Sequence, residues 1–152
     1  MSAPSASLLG LSWVYQEFED RLTEASHLGL KLIDRVDPLN ANPEHIAHKG
    51  IAVDIPSTDN TGDYRDIDNA LVADTVMVST TYRVRPHEQR TSRREAIDLE
   101  EQIRAWLLDS AWQRDLHPSY VRTTFRGPHP KSAEFFLITQ QFTTRREAAL
   151  GG

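Results

Sequence analysis

The fold is decided in residues 70–107, which read ALVADTVMVSTTYRVRPHEQRTSRREAIDLEEQIRAWL. From Ala70 to Arg85 the residues alternate in the two-residue period of a half-buried β-strand, with Val76 and Val78 on one face. Pro86 ends the strand, because it has no N–H to donate. After Ser92 the apolar residues recur every three or four positions, which predicts an amphipathic helix directly after the strand.

Two features define that helix. Ser92 and Glu95 have the spacing of a capping box, which places the helix start at Ser92. An apolar stripe then predicts the face that packs on the core. It comprises Ala96, Leu99, Ile103, Trp106 and Leu107.

Working towards the N-terminus, apolar residues at helical spacing predict a first helix over Leu8–Ala25, capped by Ser7 or Ser12. Two further strands are expected before Ala70: Leu30–Val36, and Gly50–Ile55 stopped by Pro56. The polar stretch between Ser57 and Asp68 predicts an exposed, mobile loop.

Towards the C-terminus, Tyr120–Arg126 and Glu134–Thr144 predict two strands joined by a connection longer than a tight two-residue turn. The element order predicts an α+β fold, with a mostly antiparallel sheet of about four to five strands and two main amphipathic helices packed on it. Its 152 residues suit a single domain, 1–152, in which residues 1–7 and 148–152 form loose termini.

Composition excludes several classes of protein. Cysteine is absent, so neither disulfides nor thiolate metal sites are possible. The net charge of −5 argues against a general nucleic-acid binder. No apolar run approaches the roughly 20 residues that span a bilayer, and the N-terminus lacks a secretion signal, so we expect no membrane partner and synthesis in the cytoplasm.

The sequence offers little support for catalysis. It contains no phosphate-binding glycine loop and no nucleophile elbow. His45, His48 and Asp54 form a weak candidate metal set, because helical zinc pairs favour a different spacing. The acidic stretch over Ser57–Asp68 does not follow the order of an EF-hand loop. We therefore predict no enzyme, no cofactor and no metal.

Charge is the most informative feature of the chain. Fourteen arginines stand against three lysines, and five of the arginines fall between Arg83 and Arg94 with Glu88 as the one acid among them. Arg93 and Arg94 would lie in the first turn of the helix, where the macrodipole disfavours a cation by roughly 0.3–1 kcal/mol. A solvated turn and an interaction surface both explain such a cluster. Trp112 has two readings as well, a core residue or an interface anchor.

The strand ADTVMVSTTYRVRP, the basic turn after it and the helix SRREAIDLEEQIRAWLLD resemble the tail terminator, or tail completion, proteins of long-tailed bacteriophages. The helix LSWVYQEFEDRL and the strand SAEFFLITQQFTTRRE extend the resemblance over most of Leu8–Glu147. The resemblance implies a homo-oligomeric ring, commonly a hexamer, on the last ring of the tail tube. It also implies a sheet with helices packed on it, and a virion location at the head-proximal end of the tail.

In that setting the partners would be the tail tube protein and the head–tail connector or stopper protein, with double-stranded DNA passing through the channel. Ring contacts between unlike surfaces favour segments of opposite charge. The candidate subunit or ring interface comprises Arg83, Arg85, Arg90, Arg93, Arg94 and Trp112. The candidate contact or channel-facing acidic loop carries Asp59, Asp63, Asp66 and Asp68.

Three other functions stay open from the sequence. The first is a head-completion or connector-stopper protein of the same virion. The second is a small nucleic-acid-associated regulator that uses the arginine turn, although no aromatic residues interleave with the arginines as in single-strand binders. The third is a small enzyme whose site forms only between subunits.

Overall fold

A computed structural model describes residues 10–33, 46–64, 69–112 and 116–149. In chain order the elements are α1 (Leu11–Glu24), β1 (Lys31–Leu32), β2 (Gly50–Tyr64), β3 (Asn69–Arg83), α2 (Gln89–Leu107), β4 (Ser119–His129) and β5 (Ser132–Ala149). The described strands form one five-stranded sheet in the order β1-β2-β3-β5-β4. β1 runs parallel to β2, and the other pairs are antiparallel. The predicted α+β fold is confirmed.

The core lies between the helices and one face of the sheet. α1 packs on β1 and β2, whereas α2 packs on β3 and β5. Burying each large aliphatic or aromatic side chain stabilises the fold by about 1.5–3 kcal/mol. The fully buried members include Val14, Phe18 and Leu22 of α1, Ile103 and Leu107 of α2, and Ile51, Val76, Val78 and Phe142 of the sheet.

The predicted end of β2 was wrong. β2 continues through Pro56 to Tyr64, and the pairing register with β3 shifts between Asp54 and Ser57, on either side of the proline. The shift accommodates a residue that cannot donate a ladder hydrogen bond. Residues 57–60 then pair with residues 72–75 of β3, so most of the expected loop is strand. The polar side chains hid this pairing, because they carry no apolar alternation.

The two strands predicted for the C-terminal hairpin were too short, and the predicted connection between them was too long. β4 reaches His129 and β5 begins at Ser132, so a two-residue turn joins them in place of the expected long connection. β5 also extends to Ala149, and its last residues pair with Asn69 and Ala70. Residues 148 and 149 were expected to be a loose terminus, but backbone hydrogen bonding to β3 makes them strand.

The start of α2 also differs from the prediction. The helix begins at Gln89 after Glu88, one turn before Ser92, and Ser92 is fully buried inside it. The Ser92 hydroxyl accepts a hydrogen bond from the backbone N–H of Arg85 at 3.0 Å. Its oxygen therefore holds the incoming strand in place of capping the helix, and the predicted capping box was wrong.

The N-terminal elements are shorter than expected. α1 begins after Gly10 and no side chain caps it, so the role expected for Ser12 was wrong, while Ser7 and the rest of residues 1–9 lie outside the described part. Gly29 then has a φ of 66°, a left-handed conformation that suits glycine, just before β1. The strand predicted over Leu30–Val36 is described only as Lys31–Leu32. Neither described helix has the length and apolar character needed to cross a lipid bilayer.

Candidate interaction surface

Several arginines form ion pairs with carboxylates of their own subunit. Arg104 and Arg126 both bind Glu100, each at 2.7 Å. Arg146 binds Asp74 at 2.6 Å between Nε and Oδ2, and Asp74 is fully buried. These arginines hold the subunit together, so they are not available to a partner.

Glu100 is the centre of the largest of these networks. Its carboxylate is fully buried and also accepts a hydrogen bond from the Thr123 hydroxyl at 2.6 Å. Burial raises the pKa of Glu100, but the hydrogen bonds from Arg126 and Thr123 and the charges of Arg126 and Arg104 outweigh it, so the pKa lies below its usual value. The network joins α2 to β4 and so fixes the position of the helix on the sheet.

Arg85, one of the predicted interface residues, is also engaged within the subunit. Its guanidinium contacts both oxygens of Glu95, at 3.0 and 2.9 Å, and its Nε donates to Glu88. The hydrogen bonds from Arg85 and from the Tyr82 hydroxyl hold the pKa of Glu95 at about 2. Arg85 therefore links the end of β3 to the first turns of α2.

Arg83, the last residue of β3, lies two positions before Arg85. Its guanidinium sits 5.2 Å from the centre of the Phe135 ring, and its backbone N–H donates to Nδ1 of His48 at 3.1 Å. Burial and the nearby cations, Lys49 first among them, lower the pKa of His48. A neutral His48 is an acceptor at Nδ1, which agrees with the bond from Arg83.

Arg90, Arg93 and Arg94 behave differently. All three side chains are exposed on the first turns of α2, and no carboxylate of the described residues lies within ion-pair distance of them. The first turn of α2 contains no acidic residue that would offset them. Because α2 begins at Gln89, Arg90 lies in its first turn, and the predicted first-turn positions of Arg93 and Arg94 were wrong. The helix dipole disfavours Arg90, and the like charges of Arg90 and Arg94 at i,i+4 repel each other in an isolated subunit.

These three arginines border a groove. Two adjoining clefts, of about 300 Å³ and about 460 Å³, share Gln89 and Arg93 as lining residues. The guanidinium of Arg93 lies 5.3 Å from the centre of the Phe136 ring. We call this the basic groove. Its rim is Arg90, Arg93 and Arg94, its floor is Val84, Phe135 and Phe136, and the β4–β5 hairpin adds Pro128 and Ala133.

The apolar residues that form the floor of the basic groove were not predicted from the sequence. Phe135 and Phe136 lie more than 40 positions after Arg93, and they reach it only because β5 pairs with β3 beside α2. The sequence signal that was present, two adjacent phenylalanines after a predicted hairpin, indicates a strand and says nothing about what lies next to it.

Trp112 packs within the subunit. Its ring meets Phe18 edge-to-face with centroids 5.2 Å apart, and it contacts the hydrophobic core. Arg21 lies over Trp106 at 3.5 Å and near Trp112 at 5.6 Å from the ring centres. The basic groove does not include Trp112, which sits beyond the opposite end of α2.

The acidic segment lies far from the basic groove in the same subunit. Asp59 is exposed on β2 opposite Ala73 of β3, and Arg83 lies ten positions further along β3 than Ala73. At about 3.3 Å per residue this corresponds to roughly 33 Å. The side chain of Asp63 and all of Asp66 and Asp68 lie outside the described part. Asp59 therefore lies far along the sheet from Arg83 in the same subunit.

The weak metal candidate does not assemble among the described residues. Asp54 accepts a hydrogen bond from the Tyr15 hydroxyl at 3.1 Å, His48 accepts from Arg83, and His45 lies outside the described part. Within the described ranges no three His, Asp or Glu side chains are grouped so that they could hold a metal ion.

Comparison with known proteins adds no family. A scan of the chain against protein-family models gave no match, and a search among curated proteins gave no match either.

Proposed function

We propose that the protein is a non-enzymatic virion assembly protein that forms a ring on the last ring of a phage tail tube. There it ends tube polymerisation and presents the docking surface for the head connector. The proposal starts from the resemblance of the sequence to tail terminator proteins. The observation that carries it is the set of three exposed arginines on the rim of the basic groove, which find no carboxylate among the described residues of their own subunit.

Arg90 and Arg94 occupy positions that are unfavourable in an isolated subunit. An arginine at a helix N-terminus costs roughly 0.3–1 kcal/mol at an exposed site, and like charges at i,i+4 add a few tenths. Local violations of consistency of this kind concentrate at functional sites, where a partner compensates for them. A partner surface of opposite charge would remove both costs and cover the apolar floor.

A protein partner fits the groove better than DNA does. The floor of Val84, Phe135 and Phe136 offers apolar contact to a side chain, which a phosphate backbone does not use. The whole chain carries a net charge of −5, which opposes general attraction to DNA. In a ring, the DNA would pass a mostly acidic protein that repels phosphates.

Light scattering tests the proposal. The molar mass of the purified protein is measured alone and with tail-tube rings, for the wild type and for Arg90→Glu/Arg93→Glu/Arg94→Glu. We expect the wild type to form a ring-sized species on tubes and the triple variant to remain monomeric with an unchanged circular dichroism melt. A matched control, Arg122→Glu/Arg145→Glu, reverses two exposed arginines outside the basic groove and should assemble normally.

The proposal is refuted if the wild-type protein stays monomeric and does not bind tail-tube rings. A connector-stopper would instead assemble on the head connector and not on tail-tube rings, so the same measurement with connectors separates that alternative. A nucleic-acid regulator would bind duplex DNA with a salt slope of about −0.9 per phosphate contacted, reduced by roughly 2.7 in the triple variant.

A further inference from the structure

We infer that the basic groove of one subunit receives the outer face of α1 from a second copy of the chain. The inference rests on the self-association that the proposed function requires, and it names the surface that fills the groove. Asp20 and Glu24 are exposed at i,i+4 spacing on α1, on the side turned away from the buried Phe18 and Leu22. Asp20 accepts a hydrogen bond from the Gln16 side chain at 2.7 Å, but neither carboxylate has an ion pair among the described residues, so both can supply the anions that the rim arginines lack.

The two surfaces match in spacing. Arg90 and Arg94 are also at i,i+4, and such residues lie one above the other on a helix, with Cβ atoms about 5–6 Å apart. Two helices that pack side by side can therefore pair Arg90 and Arg94 with Asp20 and Glu24 as two adjacent salt bridges. Arginine offers these carboxylates a bidentate geometry, which favours one register over others.

Both surfaces also place charge at an unfavourable helix end. Arg90 sits in the first turn of α2, where no acid offsets it, with Arg94 one turn further along, and Glu24 is the last residue of α1, where the dipole disfavours an anion. Glu24 has the nearby charge of Arg21, but the Arg21 guanidinium donates to the backbone oxygen of Trp106. Contact between the two helix ends would relieve the cost on both.

The strand order separates the two surfaces, although α1 and α2 also contact each other. α1 packs over β1 and β2, which form one edge of the sheet, whereas the basic groove is walled by β5 and β4 at the other edge. A surface on one edge that complements a different surface on the other edge is the requirement for head-to-tail association. Such association closes into a ring when the rotation per subunit divides the circle.

Other occupants fit less well. An isologous contact between two basic grooves would bring six arginines together. Asp59 offers one exposed carboxylate on a strand, with no second described anion at matching spacing. Asp98 and Glu101 are exposed at i,i+3, but they lie on the same helix as the arginines. The outer face of α1 supplies two exposed carboxylates at the i,i+4 spacing of Arg90 and Arg94.

A charge-swap experiment tests the inference. Self-association is measured by sedimentation for the wild type, a groove variant (Arg90→Glu/Arg94→Glu), a helix variant (Asp20→Arg/Glu24→Arg) and a swap variant that carries all four changes. We expect each half variant to weaken association by roughly tenfold or more, and the swap to recover it to within about threefold of the wild type. An equimolar mixture of the two half variants should also associate, because each supplies the surface that the other needs.

The control is Glu101→Arg, which reverses an exposed carboxylate outside α1 and outside the basic groove and should leave association unchanged. A swap variant that stays as weak as the half variants overturns the inference, as does a wild type that sediments as a monomer at every concentration. The proposed function fails separately. If the swap restores association but neither protein recognises tail tubes, the helix–groove contact stands and the tail role does not.

Discussion

The substitution Glu100→Gln tests the network that holds α2 on the sheet. The Glu100 carboxylate accepts four hydrogen bonds, one from Thr123, one from Arg104 and two from Arg126. Glutamine keeps the shape but removes the charge, and its amide group turns a donor towards two guanidinium groups. The perturbation therefore isolates the electrostatic part of the network.

The expected magnitude follows from burial. Removing one partner of a buried ion pair costs about 3–5 kcal/mol when the other is left buried and uncompensated. Here the side chains of Arg104 and Arg126 remain 25% and 48% exposed, so water can solvate them after the change. We therefore expect a smaller loss, about 2–3 kcal/mol at neutral pH. For a chain of this size that corresponds to a fall in Tm of roughly 5–10 °C.

The loss should depend on pH in a definite direction. Because the pKa of Glu100 is lower in the folded state than its ordinary value of 4.5, the carboxylate stabilises the fold above that pH. The stabilisation disappears as the pH falls from 4.5 through the folded pKa. The difference in Tm between wild type and Glu100→Gln is therefore largest at neutral pH and shrinks in acid.

Calorimetry across a pH series is the assay. Glu101→Gln is the matched control, because Glu101 is the next residue of α2 and is exposed, so its change should stay within about 0.5 kcal/mol. The reasoning is refuted if Glu100→Gln costs no more than Glu101→Gln, or if its cost is the same at pH 7 as in acid.

Three further predictions concern other buried or paired groups. Asp74→Asn leaves Arg146, whose side chain is 10% exposed, with a neutral partner and should cost about 2–4 kcal/mol in urea unfolding; a loss below about 1 kcal/mol would contradict the importance of this pair. Arg85→Ala removes the main hydrogen bonds to Glu95, so an NMR titration should show the pKa of that carboxyl rising from about 2 towards 4.5, and an unchanged pKa would count against the pairing. Tyr15→Phe removes the hydroxyl that accepts from a backbone N–H of β2 at 2.9 Å, and should lower the free energy of unfolding by about 1–2 kcal/mol; equal stability of the two proteins would show that water replaces it.

The regular elements could be predicted because their signals are local. The alternation of Val76 and Val78 and the helical spacing of Leu99 and Ile103 both lie within a few residues, and each follows from the geometry of one strand or one helix. The polar part of β2 could not be predicted in this way. Its strand conformation depends on backbone pairing with β3, and hydrogen bonds between main chains leave no mark on the identity of exposed side chains.

The candidate interaction surface also has features that local sequence predicts and features that depend on the fold. The sequence located the arginine cluster and the helix dipole that opposes it, since both depend on neighbours along the chain. It could not sort Arg85, which binds Glu95, from Arg90 and Arg94, which have no ion pair among the described residues.

By itself the sequence determined the two helices, the apolar strand segments and where positive charge concentrates, because these are set by residues within one or two turns of each other. Only the tertiary structure decided which charges are already neutralised. Glu100 meets Arg126 across 26 positions and Arg146 meets Asp74 across 72, so the pairing partners are set by the folding of the sheet. Arg90, Arg93 and Arg94 cluster on the rim of the basic groove without an ion pair among the described residues, and such a cluster can be recognised as available only after the internal pairs are known.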